Sequence, residues 1–408
     1  MGMRDPIATA IGALVDAGQL AGAASLVWRD GQVVQTAAVG WRDLEAQLPL
    51  QRDSLFRIAS MTKPITSTAA LMLFEEGRFA LEDPIARWAP EFARVRVLRS
   101  ATGPLDQTDP AERPITFEDL LTHRSGLTYG SFHSGPIAKV YGEALGGDID
   151  SDVAPDDWIA GLAALPLIDQ PGAAFHYGCS TDLLGLLIAR IEDATLGEVL
   201  ARRIFGPLGM KDTGFSVPPE KQCRRAGMHG FDDAGRLKAL VVAPGGATMA
   251  ERPPDMAFAS GGAGLWSTLD DYLAFARMFV GQGEVDGVRL LRPETLALMT
   301  TNRLAESQRT SAQTLGMPVF GSGSGFGLGV AVTLDPEKAS IMRGRGGVGT
   351  VGWPGAYGGW WQADPTNGSV MIFLTHNMVE LDQLAKGIGL GGYGAITQFH
   401  AAASALLR

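Results

Sequence analysis

Residues 58–66 read IASMTKPIT. Ser60 and Lys63 stand three apart, a spacing that puts two side chains on one face of a helix. Proline is tolerated in a helix only within the first turn, where backbone N–H groups have no partner inside the helix. Pro64 therefore sets the helix start close to Ser60, and the hydroxyl lies near the positive end of the helix dipole. A serine hydroxyl is a poor nucleophile until a base takes its proton, and an amine one turn away is placed to be that base. Of the seven lysines in the chain, only Lys63 follows a serine at this spacing. The flanking FRIASMTKPITSTAALMLFEEG is apolar around the lysine. In such surroundings an amine loses its charge more readily and acts as a base. The plain alternative is a helix-capping serine beside a solvated lysine, because a four-residue pattern is short.

Upstream, residues 6–20 carry helical periodicity, with Ile7, Ile11, Leu14 and Val15 on one stripe. ASLVWRDGQVVQTAAVGW then reads as two β-rich runs joined by Asp30-Gly31, a hairpin signal because both turn residues tolerate positive φ. Downstream, helix patterns dominate from about 60 to 240: ITSTAALMLFEEG, TFEDLLTH, and STDLLGLLIARIEDA with Ser180 as the expected N-cap. Two loops interrupt this block, RSATGPLDQTDPAERP and the stretch from about 128 to 156. GFGLGVAVTL reads as one strand. GAYGGWWQADPTNGSVMIFLTHN reads as two strands turning at Asn367-Gly368, and residues 395–408 as a closing helix. The pattern implies an α/β (α+β) fold with one antiparallel sheet built from residues 1–58 and 244–408 and backed by terminal helices. Residues 59–243 form a mostly helical inserted lobe, with the site between the two.

Composition narrows the function. The chain has 408 residues, 46% of them hydrophobic and 19% charged, as packed globular proteins do. Net charge is −10 with no basic run, which argues against nucleic-acid partners and anionic membrane surfaces. No stretch is long and apolar enough to suggest a transmembrane span, and the N-terminus lacks the basic-then-apolar order of a secretory signal. Two cysteines, Cys179 and Cys223, are too few for a disulfide scaffold, so a cytoplasmic location is expected. The six histidines show no metal-ligand spacing. His123, His176 and His376 are expected to be structural, and Cys179 a buried inert thiol. GRGGVG at 344–349 matches G-x-G-x-x-G, but a strand signal follows it where a dinucleotide site needs a helix. No G-x-S-x-G elbow is present. No cofactor and no metal are expected.

The S-x-x-K in this setting resembles the active-site serine motif of the class C β-lactamase and penicillin-binding-protein superfamily. LTHRSGL (121–127), GPLGMKDTGF (206–215), SGGAGLWSTLDDYLAFARMF (260–279) and GWPGAYGGWWQADP (352–365) agree with it, in order, over nearly the whole chain. The chain is most similar to the family VIII carboxylesterases, which have the β-lactamase-like fold and hydrolyse esters. The resemblance implies Ser60 as nucleophile and Lys63 as the group that takes its proton or keeps a neighbouring tyrosine anionic. That tyrosine is Tyr177, in FHYGCSTDLLG, relaying protons to the leaving alcohol and from the deacylating water. It further implies an oxyanion hole of the backbone N–H groups of Ser60 and Ala356, with Tyr129, Trp353 and Gly355 lining the substrate cleft.

Two departures matter. The lactamases have Asn two residues after the tyrosine, where this chain has Cys179, and they carry a K-T-G that this chain lacks. Trp353-Pro354-Gly355 takes its place, resembling the W-x-G of the esterases. An indole where the lactamases have an ammonium favours neutral acyl groups over anionic ones. The expected activity is hydrolysis of short-chain esters, with a small-molecule ester as the partner. Alternatives are cleavage of β-lactams or D-amino-acid peptides, acyl transfer from the same acyl-enzyme to an alcohol, and a non-catalytic binding protein on the same fold.

Overall fold

The computed structural model describes residues 5–133, 135–240, 256–314, 316–339, 346–379, 383 and 386–408. The expected boundary at 243/244 and the first two residues of the glycine loop, Gly344 and Arg345, lie outside them. Helix α1 (Pro6–Asp16) opens on Asp5, whose carboxylate accepts from the N–H groups of Ile7 and Ala8. Strands β1 (Gly22–Arg29) and β2 (Gln32–Asp43) form the expected hairpin, with Asp30 at φ 51° and Gly31 at φ 82°. The short β3 (Leu48–Pro49) closes this edge.

The far end of the chain supplies β4 (Ser324–Phe326), β5 (Ala331–Thr333), β6 (Val351–Pro354), β7 (Trp360–Asp364) and β8 (Ser369–Thr375). The described residues form one eight-stranded antiparallel sheet in the order β4-β5-β6-β7-β8-β1-β2-β3, so the two chain ends meet at β8 and β1. Side chains alternate between faces. Val27, Trp360, Met371 and Phe373 pack with Ile7 and Ile11 of α1 and with Phe399 and Ala403 of the closing helix Ala395–Leu406. Leu26, Trp361, Ile372 and Leu374 face the other way, into a larger core continuous with the middle block.

Two local expectations fail. GFGLGVAVTL is two short strands, β4 and β5, folded at Gly327–Val330, where Gly327 N–H bonds to the Val330 carbonyl. Gly329 has φ 92° and lies so close to Ser67 that a Cβ would overlap its hydroxyl, so the chain doubles back there. Ser180 is the first helical residue and not the N-cap, which is Cys179. The Ser180 hydroxyl pairs with Ser125 Oγ at 2.8 Å. In addition, part of the RSATGPLDQTDPAERP region is a small hairpin pairing Arg96–Leu98 with Thr108–Pro110.

Helix α2 (Thr62–Glu75) runs through the middle of the molecule and is buried on almost every side. Two of its hydroxyls take internal partners: Thr66 donates to the Gly261 carbonyl at 2.7 Å and Thr68 to the Pro64 carbonyl at 2.8 Å. Helix α3 (Ser180–Glu192) packs against it. Among the described residues, no helix is long and apolar enough to cross a membrane.

His400, on the closing helix, lies edge-on to Trp360 with ring centroids 5.3 Å apart. Neither of its ring nitrogens has a hydrogen-bond partner among the described residues. Burial pushes its pKa down from 6.5 to about 3. Between those values the unfolded chain binds a proton that the folded chain refuses, so this contribution to stability is complete above pH 6.5 and is lost as pH falls. His400→Leu is therefore expected to raise stability relative to wild type by about 2 kcal/mol more at pH 5 than at pH 8. Urea unfolding at both pH values measures this, and an equal change at the two would contradict it.

Candidate active site

Ser60 sits in a 3-10 turn, Ala59–Met61, which leads directly into α2. Ala59 holds φ at 45°, a left-handed conformation that costs a residue with a Cβ roughly 1–2 kcal/mol. The bond from Ile58 N–H to the Leu265 carbonyl (2.9 Å) pins the turn. Ser60 is half-buried, whereas Lys63, one turn on, is 0% exposed. The expected pair is in contact: Lys63 Nζ lies 3.4 Å from Ser60 Oγ.

The lysine has two further acceptors, the Gly262 carbonyl at 2.9 Å and Tyr129 OH at 3.1 Å. Tyr129 OH in turn donates to Asp182 Oδ2 at 3.2 Å. Asp182, on α3, is fully buried and also accepts from Ser260 Oγ (2.5 Å) and Gly262 N–H (3.0 Å). Burial raises its pKa, while the Lys63 charge and these donors oppose the rise. Burial, with the Asp182 charge beside it, also raises the Tyr129 pKa well above the usual phenol value, so this hydroxyl keeps its proton. Tyr129, expected to line the cleft, is 6% exposed and links Lys63 to Asp182.

Tyr177 lies three residues before α3. Gly178 lets its segment touch Thr128, because a Cβ there would lie 2.3 Å from the Thr128 backbone. The segments carrying Tyr129 and Tyr177 thus run together, with ring centroids 5.9 Å apart. Lys63 Nζ sits over the Tyr177 ring, 4.6 Å from its centroid. The phenol oxygen accepts from Trp353 Nε1 at 3.0 Å. Trp353, on β6 and expected to line the cleft, is 3% exposed and packs among Phe175, Phe320 and Phe326.

Gly355 follows β6, and a Cβ on it would lie 2.7 Å from the Ile58 carbonyl. Only glycine brings this strand end so close to the nucleophile turn. The next residue, Ala356, is exposed. His123 is buried against Tyr177 at 4.9 Å between centroids, and burial followed by the Lys63 charge holds it neutral. His176 pairs with Asp169 at 3.0 Å, and His376 Nδ1 bonds to the Ala226 carbonyl. Burial raises the Cys179 thiol pKa, as suits an inert side chain.

Sequence reading missed Asp182 and Gly262. Asp182 had a signal, an acid inside the otherwise apolar STDLLGLLIARIE. An acid in the first turn of a helix is ordinary, however, because it complements the dipole. Gly262 acts only through its backbone and carries no side-chain signal at all.

The family profile described as Beta-lactamase matches residues 7–389. The chain is 49% identical over 366 residues to Protein Rv1367c of Mycobacterium tuberculosis, covering 90% of this chain and 88% of that one. It is 33% identical over 374 residues to Esterase EstB of Burkholderia gladioli, covering 89% and 87%. The structure resembles that of EstCE1, described as a hydrolase with promiscuous acyltransferase activity. The TM-score is 0.79 at 26% identity, over 98% of this chain and 97% of that one.

Proposed function

This chain belongs to the beta-lactamase family, and we propose that it is a serine carboxylesterase of the family VIII type, cleaving short-chain carboxylic esters through an acyl-enzyme on Ser60. The observation that carries the proposal is the set of contacts around Lys63 Nζ. A backbone carbonyl only accepts, so one N–H goes to Gly262. Tyr129 donates its O–H to Asp182, so its oxygen accepts a second N–H. All three contacts of Nζ, to Gly262, Tyr129 and Ser60 Oγ, are donor contacts in the resting geometry; in the unprotonated form two N–H groups serve Gly262 and Tyr129, and the lone pair is left for Ser60 Oγ, the arrangement a general base needs.

The cycle then balances. Ser60 attacks the ester carbonyl as its proton passes to Lys63, and the N–H groups of Ser60 and Ala356 hold the oxyanion. Each such donor contributes about 3 kcal/mol to the transition state. The ester C–O bond breaks as Tyr177 gives its proton to the leaving alcohol, leaving an acyl group on Ser60, an ammonium and a phenolate. Lys63 over the Tyr177 ring stabilises that phenolate. Water next gives a proton to Tyr177 and attacks the acyl carbon, and Ser60 leaves with the proton that Lys63 holds. No step calls on a cofactor.

The proposal includes a cleft between the sheet-forming ends, 1–58 and 244–408, and the block 59–243. It also includes a cytoplasmic location, supported by two free cysteines. A second reading, acyl transfer to an alcohol in place of water, has its support in the likeness to EstCE1. Turnover of p-nitrophenyl butyrate and nitrocefin side by side tests the substrate class. Ester kcat/KM is expected to exceed that for the lactam by roughly 100-fold or more, and the reverse order would make the chain a lactam hydrolase. Added methanol yielding methyl butyrate faster than butyrate would favour the transferase reading.

A further inference from the structure

We propose that Asp148 and Asp150 are positioning residues, the two ends of a bridge that ties the turn carrying Tyr129 to the turn carrying Ser60 and so fixes Tyr129 OH against Lys63. The proposal rests on the Ser60–Lys63 reading above. Both carboxylates lie in GGDIDSD (146–152), in the loop that leaves the helix Pro136–Leu145. Gly146 ends that helix at φ 73°, a left-handed conformation that glycine adopts without a Cβ penalty. Ser151 Oγ closes the loop behind it, donating to the Leu145 carbonyl at 2.5 Å.

One end of the bridge is Asp148. Its two oxygens accept from the N–H groups of Gly130 and Ser131, the residues directly after Tyr129, each at 3.2 Å. The other end is Asp150, whose Oδ2 lies 2.7 Å from Arg57 Nη2 with both side chains out of solvent. Arg57 pairs with Trp266 on a two-residue strand, Phe56–Arg57, and stands three residues before Ser60. Between the two ends, Ile149 packs against the cluster that Ala59 forms with Met228 and Tyr357. The chain from Asp148 to Asp150 spans at most about 7 Å between Cα atoms, so the two turns cannot part unless one end breaks. A buried ion pair adds little net stability, but sliding it apart leaves an uncompensated charge, which makes it a stiff joint. The contact that depends on this joint is Tyr129 OH to Lys63 Nζ at 3.1 Å. A misplacement of about 1 Å near the reacting groups can cost roughly 100-fold in rate.

Steady-state kinetics on p-nitrophenyl butyrate separate this role from packing. Asp148→Ala and Asp150→Ala are each expected to lower kcat by roughly 10- to 100-fold with KM changed less than about twofold, because the bridge orders the base and does not hold the ester. Breaking either end frees the bridge, so the double variant is expected to fall less than about threefold below the weaker single variant. In a Tyr129→Phe background, which removes the hydroxyl that the bridge positions, each substitution is expected to cost less than about twofold further. Single losses that multiply in the double variant, an undiminished loss without the tyrosine hydroxyl, or a raised KM with kcat unchanged would each overturn the proposal. If circular dichroism shows Asp150→Ala unfolded, Asp148→Ala leaves the buried ion pair whole and carries the kcat, KM and Tyr129→Phe comparisons by itself, with the same results counting for and against. Turnover that survives Ser60→Ala would sink the parent reading of the site. An inactive Ser60→Ala beside aspartate variants with wild-type kcat would sink this proposal alone.

Discussion

Ser60→Ala is expected to lower kcat/KM for p-nitrophenyl butyrate by roughly 10⁴-fold or more while leaving the fold intact. The serine hydroxyl meets Lys63 at 3.4 Å, a long contact, so its loss is expected to change stability by less than about 1 kcal/mol. The turn that carries it is held by backbone bonds that alanine keeps, Ile58 N–H to the Leu265 carbonyl and Met61 N–H to the Ile58 carbonyl. Activity and circular dichroism on one preparation measure both quantities. A folded variant keeping a tenth of wild-type turnover would place the nucleophile elsewhere.

Lys63→Met has a double consequence. Methionine keeps much of the volume of the buried lysine stem but neither takes a proton nor donates, so kcat/KM is expected to fall by about 10³- to 10⁵-fold. The second effect is on stability. Burial already raises the Asp182 pKa, and the Lys63 charge is the largest influence opposing it. Without the ammonium, that pKa moves further up. A carboxyl raised in the folded state gives stability that is complete below its unfolded value of 3.8 and is lost as pH rises through the folded one. The variant is therefore expected to lose more stability, relative to wild type, at pH 8 than at pH 5. Urea midpoints at the two pH values decide it, and a loss independent of pH would show that Asp182 does not depend on Lys63 for its charge.

Much of the scaffold was readable because it is written in turn chemistry and alternation. Asp30-Gly31 and Asn367-Gly368 mark turns between alternating runs, and both hairpins stand where those residues put them. Pro64 falls in the first turn of α2, as its missing N–H requires. The strand expected at GFGLGVAVTL failed for a tertiary reason. Its apolar alternation continues through Gly327 and Gly329, and only the neighbouring Ser67 and Met299 reveal that the backbone must fold there.

The site divides in the same way. Ser60 and Lys63 were visible because both lie on one helical turn. Tyr177 lies 117 positions beyond Ser60 and was found by resemblance alone. The hydrogen-bond partners of Tyr129 and Trp353 were not legible, because a motif names a residue without saying which way it faces. Tyr129 faces Asp182 and Trp353 faces Tyr177, and both orientations are set by packing from distant segments.

The most direct test of the central claim is to catch the covalent intermediate. Wild-type protein mixed with p-nitrophenyl butyrate and quenched in acid within milliseconds would be digested and mapped by mass spectrometry. The account predicts one butyryl group per chain, on the peptide carrying Ser60, and none in Ser60→Ala. A butyryl group on another residue, or turnover with a pre-steady-state burst of p-nitrophenol but no adduct at Ser60, would contradict it.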